Sequence, residues 1–213
     1  KSGFRLKFAA ELQSDYSTMG GNTQASWQTS RQQSSYKAVK TDANWHDKNR
    51  VKILSEIERF EIGFSSGKFD FQLGRQPVSF GTSHFVSVMD ILAPAQPGYL
   101  DSSYKPGIDA LRIRTISGET GELELVLAAG QESRDNAAIA RWRDTFSGFD
   151  VEMLAGQFRQ RNFIGAGWEG ERKKINFWGE MAVFERQNSF DRHFGGISGK
   201  FSTSWIFGLE KDT

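Results

Sequence analysis

Apolar and polar residues alternate along most of this chain, and the alternation continues across tight turns. Every even position of residues 60–64 is apolar, and every odd position of residues 69–73 is apolar. Because strand side chains alternate with a period of two, a two-residue turn at 66–67 places both apolar sets on one face of a hairpin. The pattern predicts that Phe64 pairs with Phe69.

Three further hairpins follow the same rule. A two-residue turn at 147–148 pairs Trp142 with Met153, and a turn of the same length at 173–174 aligns the apolar residues of two later strands. The apolar positions on both sides of 117–121 are odd-numbered, so that turn should contain an odd number of residues. Four consistent hairpins predict an antiparallel, up-and-down sheet.

The whole chain, residues 1–213, is predicted to form one all-β domain. We expect an up-and-down transmembrane β-barrel with at least ten strands, or part of a larger barrel, with an eleventh strand that begins at Trp205. Two connections, 15–50 and 82–107, are long, and the short turns gather at the opposite end. The ten predicted strands are 4–14, 51–65, 68–81, 108–117, 121–131, 137–146, 149–160, 163–172, 175–187 and 193–203.

Composition narrows the classes of function. The net charge of +1 argues against nucleic acid as a partner, and the absence of cysteine excludes disulfides and thiolate zinc sites. No apolar run is long enough for a transmembrane helix, whereas a barrel strand needs only about 9 to 11 residues with one apolar face. No cofactor is predicted.

Alternation alone leaves the orientation of the two faces open. A soluble barrel would turn the apolar residues inward, and a membrane barrel would turn them outward. Glycines such as Gly165 and Gly167 share the polar face with opposed Arg and Glu residues, and aromatic residues such as Phe146 and Phe149 gather near the short turns. Both features favour a membrane barrel, with aromatic residues at the interface.

Two positions break the alternation. Strict alternation would place Arg75 on the same face as the apolar residues that precede it in its strand. We therefore expect a bulge at Pro77, which turns Arg75 inward and returns Val78 and Phe80 to the lipid-facing side. Apolar positions in 51–57 are odd and those in 60–64 are even. The strand should therefore contain a second bulge near Glu58–Arg59.

Three segments resemble porin-type outer-membrane barrels of Gram-negative bacteria: 73–81 (LGRQPVSFG), 89–94 (MDILAP) and 104–112 (YKPGIDALR). In that family a Gly-Arg-Gln strand end is followed by a loop and by a Lys-Pro-Gly strand start. Residues 149–180 are similar to later strands of the same group. Family members often end on a strand with a terminal aromatic residue, whereas this chain ends in EKDT. Either the barrel is cut short there, or Trp205–Leu209 is not a membrane strand.

The resemblance implies a location in the bacterial outer membrane, with membrane lipid and lipopolysaccharide as surroundings. A second copy of the chain or another outer-membrane protein is left open as a partner. The polar face predicts a charged lining for a pore that passes small hydrophilic solutes. The predicted lining residues are Arg5, Lys7, Glu11, Arg112, Arg114, Glu122, Glu124, Arg141, Arg143, Asp150, Glu152, Glu169, Glu171 and Glu180.

The connection 82–107 is too apolar for a freely solvated loop, so it should pack against the barrel. If it folds into the barrel mouth it narrows the passage, and Asp90, Asp101 and Lys105 then lie near Arg75. The alternative is that it caps the rim or contacts a partner chain.

We predict no enzymatic activity. His84 lies near Ser79, Ser87 and Asp90 in the sequence, but no nucleophile elbow surrounds either serine. The leading functional hypothesis is a channel for passive diffusion or export of small hydrophilic solutes. Two alternatives stay open: a non-conducting barrel that anchors a partner protein, and a soluble ligand-binding barrel.

Overall fold

The computed structural model describes residues 2–16, 36–41, 43–48, 51–83, 87–93, 105–185 and 201–211. Within these ranges, the side chains of residues 9–16, 43–48, 51–56, 58 and 211 lie outside the description. The described backbone is all-β, apart from a single 3-10 turn at Ser133–Asp135.

Eleven strands form one antiparallel sheet with open edges. Ten of them follow the order β1-β3-β4-β5-β6-β7-β8-β9-β10-β11, and β2 pairs only with β3. This confirms the prediction of an up-and-down sheet of at least ten strands. The bounds are β1 Gly3–Tyr16, β2 Ala43–Lys48, β3 Val51–Ser66, β4 Phe69–Gln76, β5 Ile108–Ser117, β6 Gly121–Ala128, β7 Ala137–Phe146, β8 Phe149–Phe158, β9 Arg161–Arg172, β10 Ile175–Glu185 and β11 Phe201–Lys211.

Three of the four predicted hairpin registers are confirmed residue by residue. Trp142 pairs with Met153 across the turn at 147–148. The turn at 173–174 has the predicted two residues, and the turn at 118–120 has an odd number of residues. These registers follow from local chemistry, because the apolar faces coincide only when the turn has the right parity.

The first hairpin keeps the predicted face but not the predicted partners. Phe64 pairs with Phe71 rather than with Phe69, because the turn lies at Gly67–Lys68 instead of 66–67. Gly67 has φ of +61°, the conformation that the first central residue of a type II′ turn requires. A shift of two residues leaves every side chain on its original face, so the alternation could not detect it.

Three further differences concern the strands. The predicted bulge near Glu58–Arg59 is confirmed, because one extra residue of β3 lies between the pairs Ala9–Arg59 and Glu11–Glu56. Strand β2 was not predicted, and it lies within the connection 15–50. The predicted break before Trp205 is wrong, since β11 runs without interruption from Phe201 to Lys211, and residues 193–200 lie outside the described residues.

The two faces of the sheet differ in composition. The apolar face carries most of the exposed large apolar side chains, and the polar face carries buried ionic groups. On β8, Met153 is 52% exposed, whereas its neighbour Glu152 is 3% exposed. Exposed members of the apolar face include Phe4, Leu6, Phe8, Phe60, Ile62, Leu73, Leu123, Leu125, Leu127, Ile164, Met181, Trp205, Phe207 and Leu209.

The polar face is covered over much of its area by the chain between β4 and β5. Strand β4 ends at Gln76 rather than at the predicted 81, and residues 77–83 and 87–93, here called the covering segment, pack against the polar face. Its buried apolar residues join apolar residues near the long-connection ends of the strands in one core. That core includes Val78, Phe80, Met89, Leu92, Ile108, Val126, Ile139, Leu154, Phe163 and Ala182.

Candidate functional site

The polar face is centred on a cluster of ion pairs around Arg141 of β7. Its guanidinium contacts Glu122 at 2.8 Å, Glu124 at 2.7 Å and Glu152 at 3.6 Å. Arg112 pairs with Glu124 as well. Because Arg141 and Glu124 are both buried, their mutual pairing offsets the cost of removing each charge from water.

Solvent exposure increases toward the short-turn ends of the strands. Arg114 pairs with Asp70 at 2.6 Å and is partly exposed, and Arg143 reaches Glu122 at only 3.9 Å with its side chain 51% exposed. Lys7 pairs with Glu61 at 2.7 Å on β1 and β3. The polar face is therefore buried near the long-connection ends of the strands, here called its upper part. It is accessible to solvent near the short-turn ends, here called its lower part.

Glu180 of β10 holds the covering segment in place. This fully buried carboxylate accepts hydrogen bonds from the backbone N–H groups of Thr82 (2.7 Å), Ser83 (2.6 Å) and Val88 (2.9 Å), and from the hydroxyl of Ser87 (2.8 Å). Both carboxylate oxygens are used. Hydrogen bonds to a charged acceptor are stronger than neutral ones, so this contact fixes the segment against the sheet.

A second carboxylate adds to this attachment. Oε1 of Glu152 accepts a hydrogen bond of 2.8 Å from the backbone N–H of Gly81. Gly81 has φ of +96°, and a Cβ there would collide with Ser87 and Glu180. Only glycine fits at this point without displacing the carboxylate.

Glycines of β9 explain how the segment lies so close to the sheet. A Cβ on Gly165 would lie 2.8 Å from Sδ of Met89, and one on Gly167 would lie 2.8 Å from Cε of the same residue. Met89 is fully buried in this recess. The glycines on the polar face therefore make room for a side chain of the covering segment, a role that the sequence pattern did not reveal.

Asp90 and Lys105 form an ion pair within the connection 82–107, which was predicted to narrow the passage. The ammonium group of Lys105 contacts the carboxylate of Asp90 and the hydroxyl of Ser79. Burial raises the pKa of Asp90, and the charge of Lys105 acts in the opposite direction. The prediction that Asp90, Asp101 and Lys105 lie near Arg75 stays a prediction, because Asp90 and Lys105 pair with each other, Arg75 pairs with Asp109, and Asp101 lies outside the described residues.

The prediction for Arg75 was wrong in its mechanism. No register shift occurs where Arg75 pairs with Phe60 and with Asp109. The guanidinium instead forms a bidentate ion pair with the carboxylate of Asp109, at 2.8 and 3.0 Å. It also donates a hydrogen bond of 2.9 Å to the carbonyl oxygen of Ile57. The carbonyl oxygen of Val39 and the hydroxyl of Thr41 also accept hydrogen bonds from it, so it is buried without a bulge at Pro77.

Val78 and Phe80 are also placed differently from the prediction. Both are 1% exposed and belong to the core beneath the covering segment, whereas a bulge should have returned them to the lipid-facing side. The physical reason is that the chain leaves the sheet after Gln76. The Phe80 ring then lies 5.9 Å from the guanidinium carbon of Arg141.

The remaining predicted lining residues occupy the polar face at its accessible end or lie outside the description. Arg5, Asp150 and Glu171 are exposed, and Glu169 is partly exposed. The backbone of Glu11 pairs with Glu56, but its side chain lies outside the described residues. His84, which lies near Ser79, Ser87 and Asp90 in the sequence, is also outside the described residues.

Several residues of the site were missed. Tyr36 is 2% exposed in the same core, and burial raises its pKa to about 12. Its carbonyl oxygen accepts a hydrogen bond of 2.8 Å from the backbone N–H of Asp109. Nothing local marks Tyr36 in the Ser- and Gln-rich connection before β2, whereas Asp109 sits in the resembling segment 104–112.

No helix in the described part of the chain has the length and apolarity needed to cross a membrane. Comparisons with protein-family models, with curated proteins and with solved structures returned no match. The resemblance to porin-type barrels therefore stays a prediction, and the functional argument depends on the geometry of the two faces.

Proposed function

We infer that this chain is a β-barrel, or part of a larger one, in a bacterial outer membrane, and that it forms a channel for small hydrophilic solutes. The observation that carries this proposal is the contrast between neighbours such as exposed Met153 and buried Glu152. A protein folded in water would bury the apolar residue and expose the charged one.

The apolar face is suited to hydrocarbon. Its exposed side chains are Phe, Leu, Ile, Met and Trp on β1, β3, β4 and β6 to β11, far more than a soluble protein exposes in one area. Transmembrane strands of about 9 to 11 residues are common, and most strands here have similar lengths. Membrane lipid and lipopolysaccharide are the surroundings that we propose for this face.

The lower polar face is suited to an aqueous passage. Arg143, Asp150 and Glu171 are exposed there, and both signs of charge are present. The covering segment fills the upper part of the same face, so it would set the narrowest point of the passage. We therefore propose that the passage is restricted by the covering segment and carries small solutes only.

Single-channel recording in planar bilayers tests this proposal. The purified full chain should insert from detergent and give discrete conductance steps that vary with salt concentration. Absence of insertion, or a chain that remains soluble and monodisperse without detergent, would contradict the membrane proposal. Insertion without any conductance would contradict the channel alone.

A second function is favoured by one specific observation. The covering segment is fixed by five hydrogen bonds to Glu180 and Glu152 and by the packing of Met89. These contacts are typical of a segment that closes the barrel permanently rather than of a transient contact. A sealed barrel would serve as an anchor or platform for a partner protein. Insertion with no conductance in the wild type, together with a co-purifying chain, would favour this function.

A further inference from the structure

A shallow groove crosses the apolar face on strands β5 to β9. Its volume is about 540 Å³, comparable to the roughly 300–1,000 Å³ of small-molecule sites. Three alanines create the depression, because their neighbours are larger: Ala140 pairs with Ala155, and Ala166, which pairs with Met153, lies diagonally across from Ala155. The larger side chains of Trp142 and Met153 also line the groove.

The lining of this groove is almost entirely hydrocarbon. Glu124 and Arg141 also border it, but their charged groups pair with each other on the polar face. Thr115 supplies the one hydroxyl group among the lining side chains. A ligand with polar groups at this depth would lose its hydrogen bonds to water without replacement, whereas a hydrocarbon chain loses none.

A cationic turn lies below the groove on the same part of the sheet. Arg172, Lys173 and Lys174 are exposed at the β9–β10 turn, and none of them forms an ion pair among the described residues. Arg172 and Ala166 share the apolar face of β9, since both occupy even positions. Six residues of strand separate them by about 20 Å.

The surface between groove and turn is flat. The ring of Trp168 lies over Gly179, and the ring of Phe149 lies over Gly170, at positions where any Cβ would clash with the rings. Both rings therefore lie along the sheet instead of projecting from it. The two rings form an apolar surface between Ala166 and the cationic turn.

We propose that the groove binds one acyl chain of a phospholipid whose phosphate contacts Arg172, Lys173 and Lys174. The ligand is a phospholipid of the leaflet at the short-turn end, because the charge of the turn complements a phosphate and the groove complements a hydrocarbon chain. This inference rests on the proposed membrane location, since only there does the apolar face meet lipid.

Native mass spectrometry of the full chain in detergent, with palmitoyl-oleoyl phosphatidylglycerol as probe, tests the groove. The wild type should retain one lipid, and Ala155→Phe, which fills the depression, should weaken retention about tenfold. Ala138→Leu is the matched control, because Ala138 is exposed on the apolar face of β7 and does not line the groove. Equal retention by wild type and Ala155→Phe would overturn the proposal.

The cationic turn is tested by a variant that leaves the strands unchanged. Lys173→Gln with Lys174→Gln should weaken retention of the same lipid about tenfold, while Lys68→Gln, at the exposed β3–β4 turn, should have no effect. If both lysine variants behave alike, the headgroup contact is wrong. If Ala155→Phe removes a dimer rather than a lipid, the groove is an interface between two copies and the lipid site is wrong.

Conductance recorded in parallel separates this inference from the proposed function. A chain that conducts, but whose lipid retention is the same in wild type and Ala155→Phe, overturns the lipid site alone. A chain that does not insert into bilayers overturns the membrane location and the lipid site together. Lipid retention with no conductance supports the lipid site and contradicts the channel.

Discussion

The hydroxyl of Ser87 donates a 2.8 Å hydrogen bond to Oε2 of Glu180, a residue 93 positions later in the chain. The same carboxylate binds three backbone N–H groups of the covering segment. Glu180 of β10 thus supplies four of the five hydrogen bonds that carboxylates accept from the covering segment. Together with Glu152 and the packing of Met89, it keeps the polar face covered.

Replacement of Glu180 should release the covering segment. In Glu180→Gln the amide nitrogen cannot accept hydrogen bonds, so donors on one side lose their partner, at a cost of about 1–3 kcal/mol. We expect faster proteolysis within residues 77–93 and a larger single-channel conductance. Glu171→Gln is the control, because Glu171 lies on β9 on the same polar face of the sheet but is exposed. Identical proteolysis of both variants would contradict the role of Glu180.

The recess for Met89 predicts a coupled pair. Gly165→Ala should destabilise the fold by about 1–3 kcal/mol through overpacking, because the added Cβ lies too close to Sδ of Met89. In the background of Met89→Ala the same substitution should cost much less. A double-mutant cycle on urea-unfolding midpoints measures the coupling. Additive effects would show that the two residues do not pack together.

The ion-pair cluster should be far more sensitive at its buried member than at its exposed one. Arg141→Met removes the cation from three carboxylates, two of them buried, and should cost about 3–5 kcal/mol. Arg143→Met, whose side chain is half exposed, should cost less than about 1 kcal/mol. Thermal unfolding in detergent compares them, and similar midpoints would refute the assignment of Arg141 as the centre of the cluster.

The apolar face predicts the effect of a charge placed in lipid. Met153→Arg should destabilise the inserted protein by about 2–4 kcal/mol if this face meets the bilayer core, and should be well tolerated if it meets water. Gln157→Arg is the matched control, since Gln157 occupies the same face of β8 near its long-connection end. Unfolding in lipid vesicles distinguishes the two cases. Equal tolerance would argue against a membrane location.

Attachment of the covering segment should also depend on pH through Asp90. Burial raises the pKa of Asp90 in the folded state above its ordinary value of 3.8, so the folded state binds the proton more tightly. Its contribution to stability is therefore full below the ordinary pKa and is lost as pH rises through the raised pKa. Proteolysis of the segment should slow on acidification, and Asp90→Asn should reduce this dependence. An unchanged pH profile in the variant would contradict it.

Much of the candidate site could be read from alternation because its residues lie on regular strands. The pairing of Arg143 with Glu152 and of Arg114 with Glu124 follows from turn parity alone, and both registers are observed. The exact partner in the first hairpin was missed, because a shift of two residues changes no face. The conformation of Gly67, not the apolar pattern, selected the turn.

The sequence by itself determined most of the strands, their antiparallel order and the two-sided character of the sheet, since these depend on residues close together in the chain. Only the tertiary structure decided what lies against the polar face, where Glu180 binds Ser87 and Met89 fills the recess at Gly165. It also decided that Asp109, rather than a bulge, neutralises Arg75. These contacts join residues far apart in the chain, and a period of two carries no information about which distant segment supplies the partner.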